Sequence, residues 1–426
     1  MSAVFTLFFE PLDVLHFREP RPWDAGSHVL SRSSFPTPGS LRGALRSALL
    51  SQLDADFGSS DPYYGVKEGW AQRLLGGRTD PGQITIRGPL LAISRELHKS
   101  AQATQQKPEP LFLPPQDLVC RKGSPRVHRL RLRELATIDE QVAPRRWHFS
   151  GTELLRETRT HLPWTSAELT KETLAGKYLV TAAGVARYRR HTDDGDLELP
   201  KIESLADYLK QGGQAQADHA ALLAEKSVYQ VESRIGIARD PDSLTVHEGM
   251  FYLALSYRFA PGAGLAIEVE ASPGDSTGEQ GAELGRALSR LHSQVIPLGG
   301  RGHRARVHVS QGSLIDPLWS VGSQAQASSQ TSVWLITPLP WPVDQKERPK
   351  DVVSLITDRP QVIGGFDQAK RCPKPLRHAL PAGSVLYLKD GASWESVRSG
   401  LRASQGDANA QEDRCLGYGT ALLTPA

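Results

Sequence analysis

Hydrophobic residues in this chain fall into short periodic runs, separated by stretches rich in glycine, proline and cations. "AVFTLFFEPLDVLHF" (Ala3 to Phe17) predicts a first strand ending near Pro11. "GSLRGALRSALLSQL" follows, with apolar residues at Leu41, Ala44, Leu45, Ala48 and Leu49. That spacing predicts an amphipathic helix with Arg42 and Arg46 on its flank and Ser40 as its cap. "GQITIRGPLLAI" (Gly82 to Ile93) reads as a hairpin pair. Farther on, "VYQVESRIGI" and "GMFYLALSYRF" predict strands around a turn-rich centre, and "GLAIEVEA" predicts another. "GAELGRALSRLHSQV" is a helix with Leu284, Leu288 and Leu291 on one face. It runs into "IPLGGRGHRARVHVS", a glycine-rich turn and then a strand. "VWLITPLP", "VVSLITD" and "SVLYLKDG" are strands, "SWESVRSGLRA" a helix, and "CLGYGTALLTP" closes the chain.

The order strand, helix, strands, helix, strand predicts a ferredoxin-like, RRM-like βαββαβ unit. The second unit follows the same plan without an evident first helix. The expected class is therefore α+β, with two ferredoxin-like domains, a large insertion and glycine-rich loops. The boundaries are residues 1–322 with an insertion at about 94–226, a Ser/Gln-rich linker at 323–332, and 333–426. The insertion alternates short apolar runs with basic pieces such as "RVHRLRLREL" and "ARYRRH".

Composition narrows the chemistry. The 426 residues carry a formal charge of only +3, so anion binding must come from local clusters. Cys120, Cys372 and Cys415 lie far apart with no CxxC, which predicts neither a disulfide framework nor a zinc site and suits a reducing cytoplasm. No stretch reaches the ~20 apolar residues of a membrane span, and no membrane partner is expected. No cofactor or metal motif is present: no HExxH, no GxSxG, no Walker loop and no kinase set.

Three cationic loops carry the candidate chemistry. "HFREPRPWDAGSHVLSR" offers Arg18, Arg21 and Arg32 with Trp23 and His28 interleaved. Guanidinium groups bind phosphate bidentately and rings stack on unpaired bases, although such loops often merely solvate. "LGGRGHRARVHV" adds Arg301, Arg304 and Arg306 beside glycines that let a backbone approach a phosphate, or simply make a tight turn. "GGFDQAKRCPKPLRHALPAGS" concentrates Lys370, Arg371, Lys374 and Arg377 against Asp367, and its prolines stiffen it. It could hold RNA or salt-bridge a neighbouring domain.

Together, "FREPRPWDAGSHVLSRSSFPTPGSLRGALRSAL", "VESRIGIARD", "IGGFDQAKRCPKPLRHALPAGSVLYL" and "GYGTALL" resemble the third subunit of the Cmr complex. That complex is the type III-B CRISPR effector, and the subunit is a RAMP protein of the Cas-five-like group. The resemblance covers both ends of the chain and leaves about 94–226 unassigned. It implies a non-catalytic subunit with two ferredoxin-like RAMP domains, binding the 5′ handle of the CRISPR RNA. It also implies docking on the large polymerase-like subunit, contact with the backbone RAMP subunits, and an indirect relation to target RNA. The family motifs fall on Arg18 to Arg32, Leu298 to Arg306 and Pro373 to Pro375, with Cys372 an unexpected neighbour of the last. Arg42 and Arg234 join the RNA-binding set.

Two other readings stay open. One is a metal-independent RAMP endoribonuclease processing precursor RNA, with His16 or His28 as general base. The other is a scaffold whose basic loops face acidic partners.

Overall fold

The computed structural model describes residues 4–20, 35–57, 69–77, 82–95, 97, 107–121, 127–134, 161–164, 171–191, 196–211, 219–240, 242–243, 245–271, 279–320, 331–341, 349–367, 372–403 and 416–425. It is a mixed α/β structure with several antiparallel sheets.

The chain opens with β1 (Val4–Pro11) and α1 (Pro38–Ser51). These lead to β2 (Ile84–Ile93) and β3 (Glu109–Leu111). The central region contributes β4 (Leu118–Arg121), β5 (Val127–Arg129) and α2 (Ala182–Arg190) among shorter elements. A long hairpin follows, β6 (Tyr229–Arg239) with β7 (Val246–Phe259). Then come β8 (Ala263–Ala271), α3 (Glu279–Leu291), β9 (Val295–Pro297) and β10 (Arg304–Gln311).

The main sheet has the order β9-β10-β1-β8-β2-β3. β1 is central, and its apolar run is buried on both faces. Leu7 and Phe9 join a core with Leu41, Leu45 and Leu49 of α1 and Leu284, Leu288 and Leu291 of α3. Phe8 points the other way, towards Ala92, Leu97, Ala266 and Leu314. The leucine spacing of α3 thus does what its period predicts. Each fully buried leucine contributes about 1.5–3 kcal/mol of transfer free energy.

Two local expectations are corrected. Gly82 to Ile93 is not a hairpin, because Ile84–Ile93 is one strand that pairs with β8 along its length. Gly88 and Pro89 read as a turn, yet they sit inside the strand next to a register irregularity opposite Ala266 and Glu268. Ser40 does not cap α1 either. Thr37 is the N-cap residue with Pro38 just inside, where its missing N–H costs nothing, and the Ser40 N–H bonds the Thr37 carbonyl.

Beyond residue 330 the elements are β11 (Thr331–Leu335), β12 (Leu339–Pro340), β13 (Val352–Ile356), β14 (Gln361–Ile363), β15 (Phe366–Asp367), β16 (Cys372–Pro373), β17 (Arg377–Leu380), β18 (Val385–Leu388), α4 (Trp394–Ala403) and β19 (Ala421–Pro425). One sheet runs β13-β18-β11-β19 and a smaller one β12-β17-β14, whose hairpin continues into β15 and β16.

The central region is not an appendage. Leu118, Val127, Val185 and Tyr188 share one buried cluster with Leu90 of β2, Ile315, Trp334 of β11 and Leu422 of β19. At its heart Arg129 Nε meets Asp117 Oδ2 at 3.1 Å, with both side chains fully buried. Arg129 also donates to Ser332 Oγ (2.9 Å) and Thr424 Oγ1 (3.1 Å), and its guanidinium lies 4.2 Å from the Tyr188 ring centre. Burial works against the Arg129 charge, but Tyr188 and Asp117 outweigh it and hold the group protonated. Among the described residues no helix is long and apolar enough to cross a membrane.

Candidate nucleic-acid interface

The glycine-rich turn between β9 and β10 is built against the segment that leaves β1. Gly300 N–H donates to the His16 carbonyl at 2.8 Å. Gly299 has φ +81°, and a Cβ there would sit 2.6 Å from the same His16 oxygen, so only glycine fits. Arg301, at φ 63°, takes the left-handed conformation without being glycine, at a cost of about 1–2 kcal/mol. Its side chain is thereby carried at the exposed tip of the turn.

His16 is a strut beneath this turn. It is 4% exposed, and its Nδ1–H donates to the Leu255 carbonyl at 2.9 Å. Burial lowers its pKa against the opposing effect of that bond, and the Arg301 and Arg18 charges lower it further. The imidazole is held in its neutral form.

The same segment ties the turn to the β6–β7 hairpin. Leu15 and Tyr257 exchange backbone bonds of 2.8 Å, and Leu12 N–H donates to the Arg304 carbonyl at 3.1 Å. Asp13 pairs with Arg234 at 3.3 Å and Arg258 at 3.0 Å. The third cationic loop meets the first at Gly364. A Cβ there would lie 2.9 Å from both Pro20 Cβ and Leu376 Cδ2. Arg377 sits over the buried Tyr418 ring at 5.8 Å, and the Tyr418 hydroxyl reaches within 4.0 Å of a Cβ placed on Gly39, in the first turn of α1. The segment after β1 therefore brings the glycine-rich turn and the third cationic loop to one face, although it lies hundreds of residues from either.

Of the expected residues, Arg18, Arg301 and Arg304 are exposed on this face. Arg42 is half-buried on α1, and Arg377 is half-buried against Tyr418. Lys374 is half-buried, with its backbone N–H on the Gly365 carbonyl. Arg306 lies within the sheet opposite Glu10 rather than in the turn. Arg234 is exposed but engaged by Glu232 and Asp13. Arg21, Trp23, His28, Arg32, Lys370 and Arg371 lie outside the described residues.

Sequence reasoning missed Arg258, whose place opposite Gln230 on β7 brings it to Asp13. It also missed that Val231, Ile235 and Ile237 stay 46–71% exposed on the hairpin. Their alternation signals a half-buried strand, and nothing local says that the apolar face is left open. Among the described residues no group of three or more His, Cys, Asp or Glu side chains is placed to hold a metal ion.

Substituting Gly299→Ala should cost about 1–3 kcal/mol in thermal unfolding, through the left-handed backbone and the clash with His16. Gly302→Ala, at φ +75° with open space around its Cβ, should cost only the conformational part, about 1 kcal/mol. Equal losses at the two sites would mean that the turn is not seated on His16.

A family model described as CRISPR-associated protein (Cas_Cmr3) matches residues 7–425. A chain in the cryo-EM structure of the type III-B Cmr-beta bound to cognate target RNA and AMPPnP, state 1, is similar at 14% identity and a TM-score of 0.45, covering 98% of this chain and 96% of that one. A chain in the crystal structure of the Csm3-Csm4 subcomplex of the type III-A CRISPR-Cas interference complex is similar at 10% identity and a TM-score of 0.37, covering 99% of both. A third, from oligomeric Cmr4 of Pyrococcus furiosus, shows 13% identity and a TM-score of 0.26, covering 74% of this chain and 100% of that one. No curated protein matches the chain in sequence.

Proposed function

Because the chain belongs to the Cas_Cmr3 family of CRISPR-associated proteins, and so is a component of the type III-B Cmr effector complex, we propose that it is the subunit holding the 5′ handle of the CRISPR RNA. In this reading it has no catalytic role of its own, and it joins the handle to the large polymerase-like subunit beside the backbone RAMP subunits. The order β10-β1-β8-β2, with α1 and α3 packed into one core, supports a ferredoxin-like reading of the N-terminal sheet.

One observation carries the proposal: the segment after β1 seats the glycine-rich turn at His16 and meets the third cationic loop at Gly364. Arg18, Arg301 and Arg304 are exposed there, and a single-stranded RNA end is recognised by phosphate contacts that position it and by rings or apolar groups against its bases. The strained backbone of Arg301 fits a charge held in place for a ligand. The ribonuclease alternative draws no support from His16, whose ring is buried and bonded to a carbonyl.

The test is a gel with end-labelled guide RNA carrying or lacking the handle, run native and denaturing, with and without the large subunit. Handle-dependent retention of intact RNA is expected. A shortened product that forms without divalent metal would replace this reading with the ribonuclease.

A further inference from the structure

Arg234 and Arg258 are two further exposed cations beside the glycine-rich turn, and the chain's own carboxylates already engage them. Arg234 Nη2 lies 3.3 Å from Asp13 Oδ2, and its Nε lies 2.8 Å from Glu232 Oε1. Arg258 Nη2 lies 3.0 Å from Asp13 Oδ1, and its Nε bonds Glu232 Oε2. Each carboxylate therefore bridges both guanidinium groups, and each guanidinium divides its N–H groups between the same two acids. The carboxylates are held ionised: the Arg258 and Arg234 bonds pull Glu232 down to about 2. In Asp13 a backbone bond and the two arginines outweigh burial.

Position and exposure give the quartet a use. Its side chains are 31–50% exposed, so it is open to exchange rather than locked by desolvation. It joins three segments, the stretch after β1 and both strands of the hairpin. It also borders the glycine-rich turn, since Leu12, next to Asp13, donates its N–H to the Arg304 carbonyl at 3.1 Å. Two carboxylate oxygens across an arginine pair present the acceptor pattern of a phosphodiester.

We propose, on the RNA-binding reading of this face, that Asp13 and Glu232 stand in for phosphate oxygens in the free chain and make Arg234 and Arg258 available only to an RNA already anchored at Arg301 and Arg304. A polyanion arriving unanchored must displace two carboxylates and face their repulsion, with no net gain of charge pairs. A strand held at the neighbouring turn presents its next phosphate at high effective concentration and displaces them readily. Asp13 and Glu232 are then specificity residues, setting aside generic polyanions in favour of a correctly seated RNA end.

The full chain and its Asp13→Asn and Glu232→Gln variants are titrated by fluorescence anisotropy against three probes across a salt series. The probes are handle-bearing guide RNA, an oligouridine of the same length, and inorganic polyphosphate. Each variant is expected to bind oligouridine and polyphosphate about 5- to 10-fold more tightly, with the oligouridine salt slope steeper by about 0.7 for each arginine released to a phosphate. Handle RNA should gain no more than about twofold, so that selectivity falls. An equal gain for all probes overturns the role in selectivity. Unchanged or weaker polyphosphate binding, in variants with the wild-type circular dichroism, overturns the inference and makes the quartet a fixed strut for the hairpin. Should Asp13→Asn fail to fold, Glu232→Gln decides the matter alone. Polyphosphate reports the released arginines directly, so wild-type protein that retains no guide RNA would sink the RNA reading without touching this result.

Discussion

Arg129→Ala is expected to destabilise the protein by about 3–5 kcal/mol, the cost of leaving a buried carboxylate without its charged partner. Asp117 would keep the Tyr188 hydroxyl, which donates to it at 2.6 Å, and the more distant Tyr387 hydroxyl at 3.4 Å. Ser332 and Thr424 would each lose a charged donor. The damage should spread beyond the local site, because Asp117 and Arg129 belong to the central region while Ser332 and Thr424 lie on β11 and β19. Denaturant titration followed by tryptophan emission reads this through Trp334, which packs edge-on against Tyr188 at 5.3 Å. A double variant, Asp117→Asn with Arg129→Met, should lose less than the sum of the single losses, since neither charge is then stranded. Strict additivity would show that the pair is not coupled, and that the central region is held by its apolar contacts alone.

The Arg301→Ala, Arg304→Ala double variant should weaken binding of handle-bearing RNA on the order of 100-fold. Two charge-assisted phosphate bonds of roughly 1.5–3 kcal/mol each are removed, less what neighbouring cations restore. The slope of log affinity against log salt should become shallower by roughly 1.4, at about 0.7 per phosphate on a single strand. Thermal stability should hardly move, because both side chains are exposed and the turn is seated through Gly299, Gly300 and the His16 carbonyl. Anisotropy titrations at several salt concentrations, paired with a melting curve, separate the two effects. An unchanged slope would remove this turn from the RNA site.

Much of the framework is legible in the amino-acid sequence. The strand "GLAIEVEA", the leucine period of residues 284–291 and the apolar run after Ala3 are local signals, and the type of each element follows from its own pattern. The clustering of Arg301 and Arg304 among glycines is legible for the same reason, since a turn that needs positive φ announces itself in composition. Ile84–Ile93 misleads because Gly88 and Pro89 are turn residues on average, and only the pairing of β8 with the residues on either side of them keeps the segment one strand.

What lies beyond the sequence is everything that depends on distance in space between residues far apart in the chain. The segment Leu12 to His16 meets Tyr257, Gly300 and Arg304 through backbone hydrogen bonds, and Leu255 through the His16 ring, and no local pattern encodes them. Arg234, a free cation to any reading of "VESRIGIARD", becomes one corner of a neutral quartet once Asp13 and Arg258 are brought to it. The basic run "RVHRLRLREL" reads as a stretch that touches RNA or a partner subunit or simply solvates, yet Arg129 within it is the buried clasp of two regions. Periodicity specifies which side of a segment avoids water, because that preference is a property of the segment. Which opposite charge an arginine meets is a property of the assembled core, and it is settled only when the sheets pack.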